Sequence, residues 1–345
     1  MVFGKSKDKG VSRKEHLAFK SASILQVRVL TAFLFVVFSC CSLPVFAGER
    51  LKVVASIFPV AEMARAVGGD RVDVRQLIPP GSDPHSWEPK ISDMVWLEKK
   101  ADLIILIGAG LEPWAEEVVG QVKDVRSKML ELAKVSDDLL KADKDQQKGH
   151  GHGHDDHASG HNDPHIWLDF KWDMAATLRI ARAMTALDPG GASFYEKNAQ
   201  NYIEALKKLD ISYQKALSSC PRKTFVVAGH AAFGYLARAY GLRQVALYGL
   251  SPDASPGPRK MAEVTELVEK EGAAKAVFFD DTVTGSLAKT LSRETGARTF
   301  VMTPGESLKR SDISKGTTFI GLMYRNLDAL SDGLGCKTPS RGPAE

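Results

Sequence analysis

The chain has 345 residues and a formal net charge of +4, and charged residues make up 26% of it. Residues 1–47 hold seven basic and two acidic residues, so the positive excess lies there and the remainder carries about −1. A nearly neutral remainder gives no support to nucleic-acid binding. Its length of about 298 residues exceeds what one hydrophobic core usually organises, so we expect two domains.

The segment 1–47 has the pattern of an export signal. Its basic first part leads into 20 uncharged residues at 29–48, and Val45-Phe46-Ala47 places small or short residues where a signal peptidase needs them. We therefore predict cleavage after Ala47 and a periplasmic protein. Two alternatives stay open: a loose lipoprotein box ending at Cys40 would give a lipid anchor, and 20 uncharged residues can just span a bilayer.

Short β-rich runs alternate with helical patterns after the signal. The runs are LKVVASI, VDVRQLI and ADLIILIG, followed by PVAEMARAVGG, ISDMVWLEKK and a polar helix from about Pro113. Residues 103–107 are apolar throughout, as strands buried on both faces of a parallel sheet are. The alternation predicts a first α/β lobe over residues 48–190.

A His-rich tract ends this region. The sequence GHGHGHDDHASGHNDPH, over 149–165, holds six of the nine histidines of the chain. Imidazole is the commonest ligand for zinc-like ions, and the Gly, Ser, Asp and Asn around it supply no core-forming residues. We interpret the tract as a flexible loop that collects metal ions; a solvated linker is the alternative.

A long amphipathic helix is predicted next, within the segment 191–219. Residues 194–219 show apolar side chains at helical spacing and contain neither Pro nor Gly. At 1.5 Å per residue this is a rod of roughly 39 Å, long enough to connect two lobes. The alternative is an ordinary long helix within one domain.

The strand and helix alternation restarts with KTFVVAGH, QVALYG, KAVFFD and ARTFVMT. This predicts a second α/β lobe over 220–336 and a disordered tail over 337–345. The fold class is therefore two α/β lobes, each with a mostly parallel sheet flanked by helices, joined by one long helix. Outside the signal, Cys220 and Cys336 remain, either as one disulfide or as buried thiols.

Three histidines occupy similar places. His85 follows the run VDVRQLI in the loop PPGSDPHSWEP, His230 follows TFVVAG, and His165 closes the His-rich tract. Ligands of open parallel sheets bind beyond the carboxyl ends of the strands, which suits a shared crevice between the lobes. In a protein that also carries a His-rich loop, the three together predict a metal site.

Three segments also carry a family resemblance. SIFPVAEMARAVGGDRVDVRQLIPPGSDPHSWEP, DPHIWLDF and GHAAFGYLARAYGL, in this order, resemble the ZnuA-type zinc-binding proteins of bacterial ABC importers. The resemblance extends over nearly all of residues 50–335. It implies two lobes joined by a rigid helix, with zinc held between them as cargo and handed to a membrane permease driven by a cytoplasmic ATPase.

The resemblance implies that His85, His165 and His230 bind the metal. Three imidazoles suit zinc, whereas Mn²⁺ prefers oxygen donors and manganese-selecting relatives typically have a carboxylate in place of the third histidine. Many relatives supply an acid as fourth ligand from a loop after the last strand. Here Glu306 is close in sequence but in no fixed register. The remaining candidates are Asp280, Asp281 and a water molecule.

Three residues near these ligands receive supporting roles at most. Asp169 either orients His165 through a hydrogen bond or caps the helix that begins near Phe170. Trp87 and Trp167 are interpreted as packing residues.

We expect a monomeric zinc receptor and not an enzyme. A three-histidine zinc site with an open position also suits a zinc hydrolase, but the sequence has no HExxH pairing, Gly-rich phosphate loop or nucleophile elbow. A receptor for manganese or another divalent ion, and a periplasmic zinc buffer without a transporter, stay as alternatives.

Overall fold

The computed structural model describes residues 1, 49–122, 124–134, 163–251, 257–270, 276–280 and 285–337. Four predictions concern residues outside these ranges: the export signal with Cys40, the His-rich tract up to residue 162, the candidate ligand Asp281 and the tail from residue 338. Among the helices of the described ranges, none is both long and apolar enough to cross a bilayer.

The first sheet has four parallel strands in the order β2-β1-β3-β4. The strands are β1 (Leu51–Ala55), β2 (Val72–Gln76), β3 (Leu103–Leu106) and β4 (Met129–Glu131). The helices of this half are α1 (Phe58–Gly68), α2 (Ile91–Lys99), α3 (Ala115–Gln121) and α4 (Val125–Lys128). Strands β1 to β3 and the helices α1 and α2 match the sequence prediction. Strand β4 was not predicted, because it has three half-buried residues and no apolar run.

Side chains of this sheet alternate between two layers. Val54, Ile104 and Leu106 belong to a cluster with apolar residues of α2, α3 and α4. Val53 and Ile105 point to the other face, into a cluster with α1 and the helices described next. Helices on both faces bury β3 completely and the last three residues of β1, as the continuous apolar runs predicted.

Two long helices follow. They are α5 (Phe170–Leu187), preceded by a 3₁₀ turn at Ile166–Leu168, and α6 (Ala192–Ser218), whose bounds lie within one residue of the predicted 191–219. Helix α6 is tied near its beginning by the Asn198 side chain, which donates to the Val67 carbonyl of α1 over 3.1 Å. Near its other end, the Tyr213 hydroxyl donates to the Met323 carbonyl over 2.6 Å. The helix therefore contacts elements of both halves of the chain.

The second sheet repeats the plan of the first, with parallel strands in the order β6-β5-β7-β8. The strands are β5 (Thr224–Val227), β6 (Arg243–Ala246), β7 (Ala276–Phe279) and β8 (Arg298–Val301). The helices are α7 (Gly234–Ala239), α8 (Pro258–Lys270), α9 (Ser286–Thr295), α10 (Arg310–Ser314) and α11 (Phe319–Leu334). Two parallel sheets flanked by helices confirm the predicted α/β class.

The largest hydrophobic cluster contains residues of both sheets. Val53 of the first sheet and Phe278 of the second belong to it, together with residues of α5, α6 and α11. Cys220, just after α6, forms a disulfide with Cys336, just after α11, which decides between the two predicted states of these cysteines. Both sheets belong to one compact unit that begins at Arg50. The lobe boundaries 48–190 and 220–336 stay predictions.

Candidate metal centre

His85 is presented by the loop that connects β2 to α2. Asp83 stabilises this loop: one of its carboxylate oxygens accepts a hydrogen bond from the His85 backbone N–H over 3.0 Å, and the other accepts from the Ser86 hydroxyl over 3.2 Å. The His85 side chain is only 9% exposed. Its ring lies 5.2 Å from the ring of His165 and 5.7 Å from that of His230, between centroids.

His165 lies just before the 3₁₀ turn that leads into α5 and is completely buried. Asp163 holds it twice: the same carboxylate oxygen accepts from the His165 backbone N–H over 3.0 Å and lies 2.9 Å from the ring Nδ1. Nδ1 therefore carries its hydrogen toward Asp163, which leaves Nε2 free to face the other ligand candidates.

His230 lies three residues beyond β5, at the carboxyl end of the second sheet. Its neighbours are fixed by backbone hydrogen bonds: Tyr248 N–H donates to the Gly229 carbonyl over 3.0 Å, and Ala231 N–H donates to the Gly249 carbonyl over 2.7 Å. The His230 side chain is 5% exposed. These bonds hold the ligand candidate on a short, rigid connection to the sheet.

Glu306 lies five residues beyond β8, in the segment that we call the Glu306 loop (Thr303–Leu308). Gly305, immediately before it, has a φ of +76°, a left-handed conformation that glycine adopts without strain. The turn directs Glu306 inward, where its side chain is 8% exposed. The register of Glu306 could not be predicted from the sequence, because it depends on that turn.

The four side chains converge on one point. The distance from His165 Nε2 to His230 Nε2 is 3.2 Å, from His230 Nε2 to Glu306 Oε1 3.3 Å, and from His165 Nε2 to Glu306 Oε2 3.5 Å. His85 Nε2 is 3.8 Å from Glu306 Oε2, and all four ligand atoms lie within 4.8 Å of one another. Zinc with bonds of about 2.05 Å in a tetrahedron needs ligand atoms about 3.3 Å apart.

Two buried atoms of this cluster have no hydrogen-bond partner in the described part of the chain. They are His85 Nε2 and Glu306 Oε2. Burying such atoms without a partner is unfavourable, and a cation between them would satisfy both. Three nitrogens and one carboxylate oxygen are a donor set that zinc accepts readily, so the residues present fit this ion.

The cluster also shifts the protonation of its members. Burial disfavours the charged form of His165, but the neighbouring carboxylates of Asp163 and Glu306 outweigh it and raise its pKa to about 9. Burial would raise the pKa of Glu306, and the neighbouring imidazoles of His165 and His230 hold it well below the usual range instead. Burial lowers the pKa of His85. At pH 7 the metal-free cluster therefore holds a proton on His165 beside an ionised Glu306.

Zinc binding should consequently release close to one proton per ion near pH 7. A ligating imidazole must give up the proton on its coordinating nitrogen, and His165 holds that proton up to pH of about 9 in the metal-free protein. The zinc affinity should therefore rise with pH until about 9 and fall as the pH drops below it. Titration calorimetry in buffers of different ionisation enthalpy measures the protons released; a value near zero would contradict this protonation state.

Asp163 takes the orienting role that the sequence analysis had offered to Asp169. The Asp169 side chain instead accepts the Lys171 backbone N–H over 2.9 Å and caps α5, which was the second of its two predicted roles. The repeated tripeptide Asp-Pro-His was a signal for this: Asp83 and Asp163 each accept the N–H of the histidine two residues later.

Replacing Asp163 by Asn should lower the zinc affinity about 10- to 100-fold, as is typical when the partner of a ligating histidine is removed. Asn keeps the shape but loses the charge that fixes the His165 ring. Asp169→Asn is the matched control, because Asn caps a helix about as well as Asp and the Asp169 carboxylate accepts its hydrogen bond from Lys171. Chelator competition measures the zinc affinity of both variants. Equal affinities of the two would exclude the orienting role of Asp163.

The remaining predicted residues lie outside the cluster. Asp280 is buried, and its Oδ2 lies 3.4 Å from the Thr303 hydroxyl rather than among the histidines. Trp87 packs edge-on against Trp114, with ring centroids 5.7 Å apart. Trp167 is completely buried, and its ring lies 5.2 Å from that of His165.

Comparison with known families gives a match over most of the chain. The family model described as zinc-uptake complex component A, periplasmic, matches residues 53–333. The zinc-binding lipoprotein AdcA of Streptococcus pneumoniae (strain R6) is 35% identical over 326 residues, which cover 94% of this chain and 62% of that protein. The chain thus spans about three fifths of the length of AdcA.

A second relative and two solved structures also match most of this chain. The high-affinity zinc uptake system protein ZnuA of Bacillus subtilis is 34% identical over 83% of this chain and 88% of its own length. The Zn(II)-bound ZnuA-like domain of S. pneumoniae AdcA superposes with a TM-score of 0.68 at 33% identity, covering 83% of this chain and 99% of that domain. The metal-dependent lipoprotein YcdH of B. subtilis gives a TM-score of 0.68 at 31% identity, covering 82% and 99%.

Proposed function

Because the chain belongs to the ZnuA family of zinc-uptake components, we propose that it is an extracytoplasmic receptor that captures Zn²⁺ and delivers it to an ABC permease. The permease would in turn be driven by a cytoplasmic ATPase. The observation that carries this proposal is the convergence of His85, His165, His230 and Glu306 at distances that suit one zinc ion. We further propose that these four side chains are the ligands and that the receptor acts as a monomer.

The donor set supports zinc over manganese. Three imidazole nitrogens against one carboxylate suit a borderline-soft ion, whereas Mn²⁺ prefers a set dominated by oxygen. Four protein ligands also fill a tetrahedral shell. A hydrolytic zinc site keeps one position open for water, so this geometry favours retention of the ion over chemistry on a substrate.

We propose a division of labour between this site and the His-rich tract. The cluster is buried, while the tract up to residue 162 lies outside the described residues and carries five of the histidines. The tract would bind zinc weakly and transiently, and the buried site would bind one ion tightly. Location in the periplasm, with cleavage after Ala47, is part of the proposal; a lipid anchor on Cys40 is its variant.

Uptake in cells tests the proposal. We expect a strain that lacks the gene to accumulate less ⁶⁵Zn from zinc-limited medium, and the wild-type gene, but not one carrying Glu306→Ala, to restore uptake. Manganese uptake, measured in the same cells, should not change. Normal zinc uptake in the deletion strain would favour a periplasmic buffer, and a selective loss of manganese uptake would favour the manganese receptor.

A further inference from the structure

The Glu306 loop is not held in place by packing alone. Behind it lies a cavity of about 410 Å³, lined by residues that include Thr303, Leu308, Lys315, Leu322, Arg325 and Asn326. A segment that borders open space on one side has room to move. The loop is buried, and packing on its other side is reinforced by hydrogen bonds that help to fix the position of Glu306.

One such bond comes from the segment that presents His165. The indole N–H of Trp167 donates to the Pro304 carbonyl over 2.8 Å, although the two residues are 137 positions apart in sequence. Trp167 is fully buried, so water does not compete for this bond. Trp167 lies two residues after His165, so the segment that presents one ligand candidate also holds the loop that carries Glu306.

A second set of hydrogen bonds to the Glu306 loop comes from α11. The side chain of Asn326 accepts the Thr303 backbone N–H over 3.0 Å and donates to the Thr303 carbonyl over 2.7 Å. The Thr303 hydroxyl accepts the Gly305 N–H over 3.1 Å, which fixes the turn just before Glu306. Asn326 is 2% exposed, so this pair of bonds is also shielded from water.

Resting on the proposed function, we propose that Trp167 and Asn326 are positioning residues that set how tightly the site holds zinc. They would do so by keeping Glu306 within reach of the three histidines, without themselves contacting the ion. Trp167 links the Glu306 loop to His165, and Asn326 links it to the last helix. When these bonds break, the loop can withdraw toward the cavity and take the fourth ligand with it.

The test compares Trp167→Phe and Asn326→Leu with the wild-type protein. Asn326→Leu keeps the side-chain volume and removes the hydrogen bonds. Trp167→Phe removes the N–H together with part of the buried ring, so its control must lose the same volume. Trp172→Phe is the matched control: this residue is also a buried tryptophan, and its indole N–H has no hydrogen-bond partner in the described ranges. Zinc affinity by chelator competition, the zinc dissociation rate, and the visible spectrum of the Co²⁺-loaded protein are measured for each.

We expect the zinc dissociation constant to rise about 5- to 10-fold in Trp167→Phe, the loss typical of one buried hydrogen bond, and at least as much in Asn326→Leu, which loses two. Zinc should also dissociate faster from both variants. The Co²⁺ bands should shift, since they report the ligand geometry. In a Glu306→Ala background the same substitutions should have no additional effect on affinity.

Two results would overturn the proposal: affinities and spectra in both variants no different from those of Trp172→Phe, or an equally large effect in the Glu306→Ala background. The second would assign the loss to general destabilisation. A failure of the proposed function is distinguishable, because the wild-type protein itself would then bind no zinc tightly.

Discussion

The variant His165→Ala should bind zinc about 100- to 1,000-fold more weakly than the wild-type protein. Structural zinc sites contribute about 10–16 kcal/mol in total, so each of four ligands supplies roughly 2.5–4 kcal/mol. The substitution removes one of the four ligand atoms outright, together with the ring that Asp163 holds in place.

Chelator competition at pH 7.5 measures this loss. His161→Ala is the control: it removes the same residue type four positions earlier, outside the described residues and outside the proposed ligand set. The control should keep one tight zinc per chain. If both variants kept the wild-type affinity, His165 would not be a ligand; if both lost it, the His-rich tract would be part of the tight site.

Removing the disulfide should lower the free energy of unfolding by about 3–5 kcal/mol. The bond between Cys220 and Cys336 closes a loop with a sequence separation of 116 residues. A cross-link over such a distance restricts the unfolded chain strongly, and the longer the loop, the larger the expected effect. The double variant Cys220→Ala, Cys336→Ala avoids placing new polar groups at the buried Cys220 position.

Urea unfolding with a chelator present measures this change without a contribution from bound zinc. The wild-type protein under reducing conditions should match the variant, which provides an internal control. An unchanged urea midpoint in the variant would mean that the bond adds no stability. If the urea midpoint fell in the variant but not in the reduced wild-type protein, the cause would be lost packing at the cysteine positions.

Much of the fold followed from hydrophobic pattern, because buried parallel strands leave a continuous apolar run. Seven strands were predicted from such runs and from their alternation with helical patterns, although β2 and β8 are partly exposed. Strand β4 was not predicted, because its three residues form no pattern and its pairing with β3 becomes visible only in the folded sheet. Helix α6 was predicted almost to the residue, because 26 positions without Pro or Gly leave few alternatives.

The candidate site was only partly predictable. His85, His165 and His230 each lie in a distinctive local motif, so a single sequence was enough to select them. The placement of Glu306 depends on the turn at Gly305 and on bonds from Trp167, which lies 137 residues from its partner. Contacts of that kind arise only once the chain has folded, and no local pattern encodes them.

Helix α11 makes the shared core depend on residues that lie far from the first sheet in sequence. Helix α11 contacts α6 and also α1, near the beginning of the first sheet, and its apolar side chains belong to the cluster that both sheets share. A ribosome must therefore synthesise the chain through α11 before the cluster that both sheets share can be completed. We infer that folding during synthesis stops at loosely ordered stages, and that chains truncated before Phe319 leave apolar surface open to proteases and chaperones.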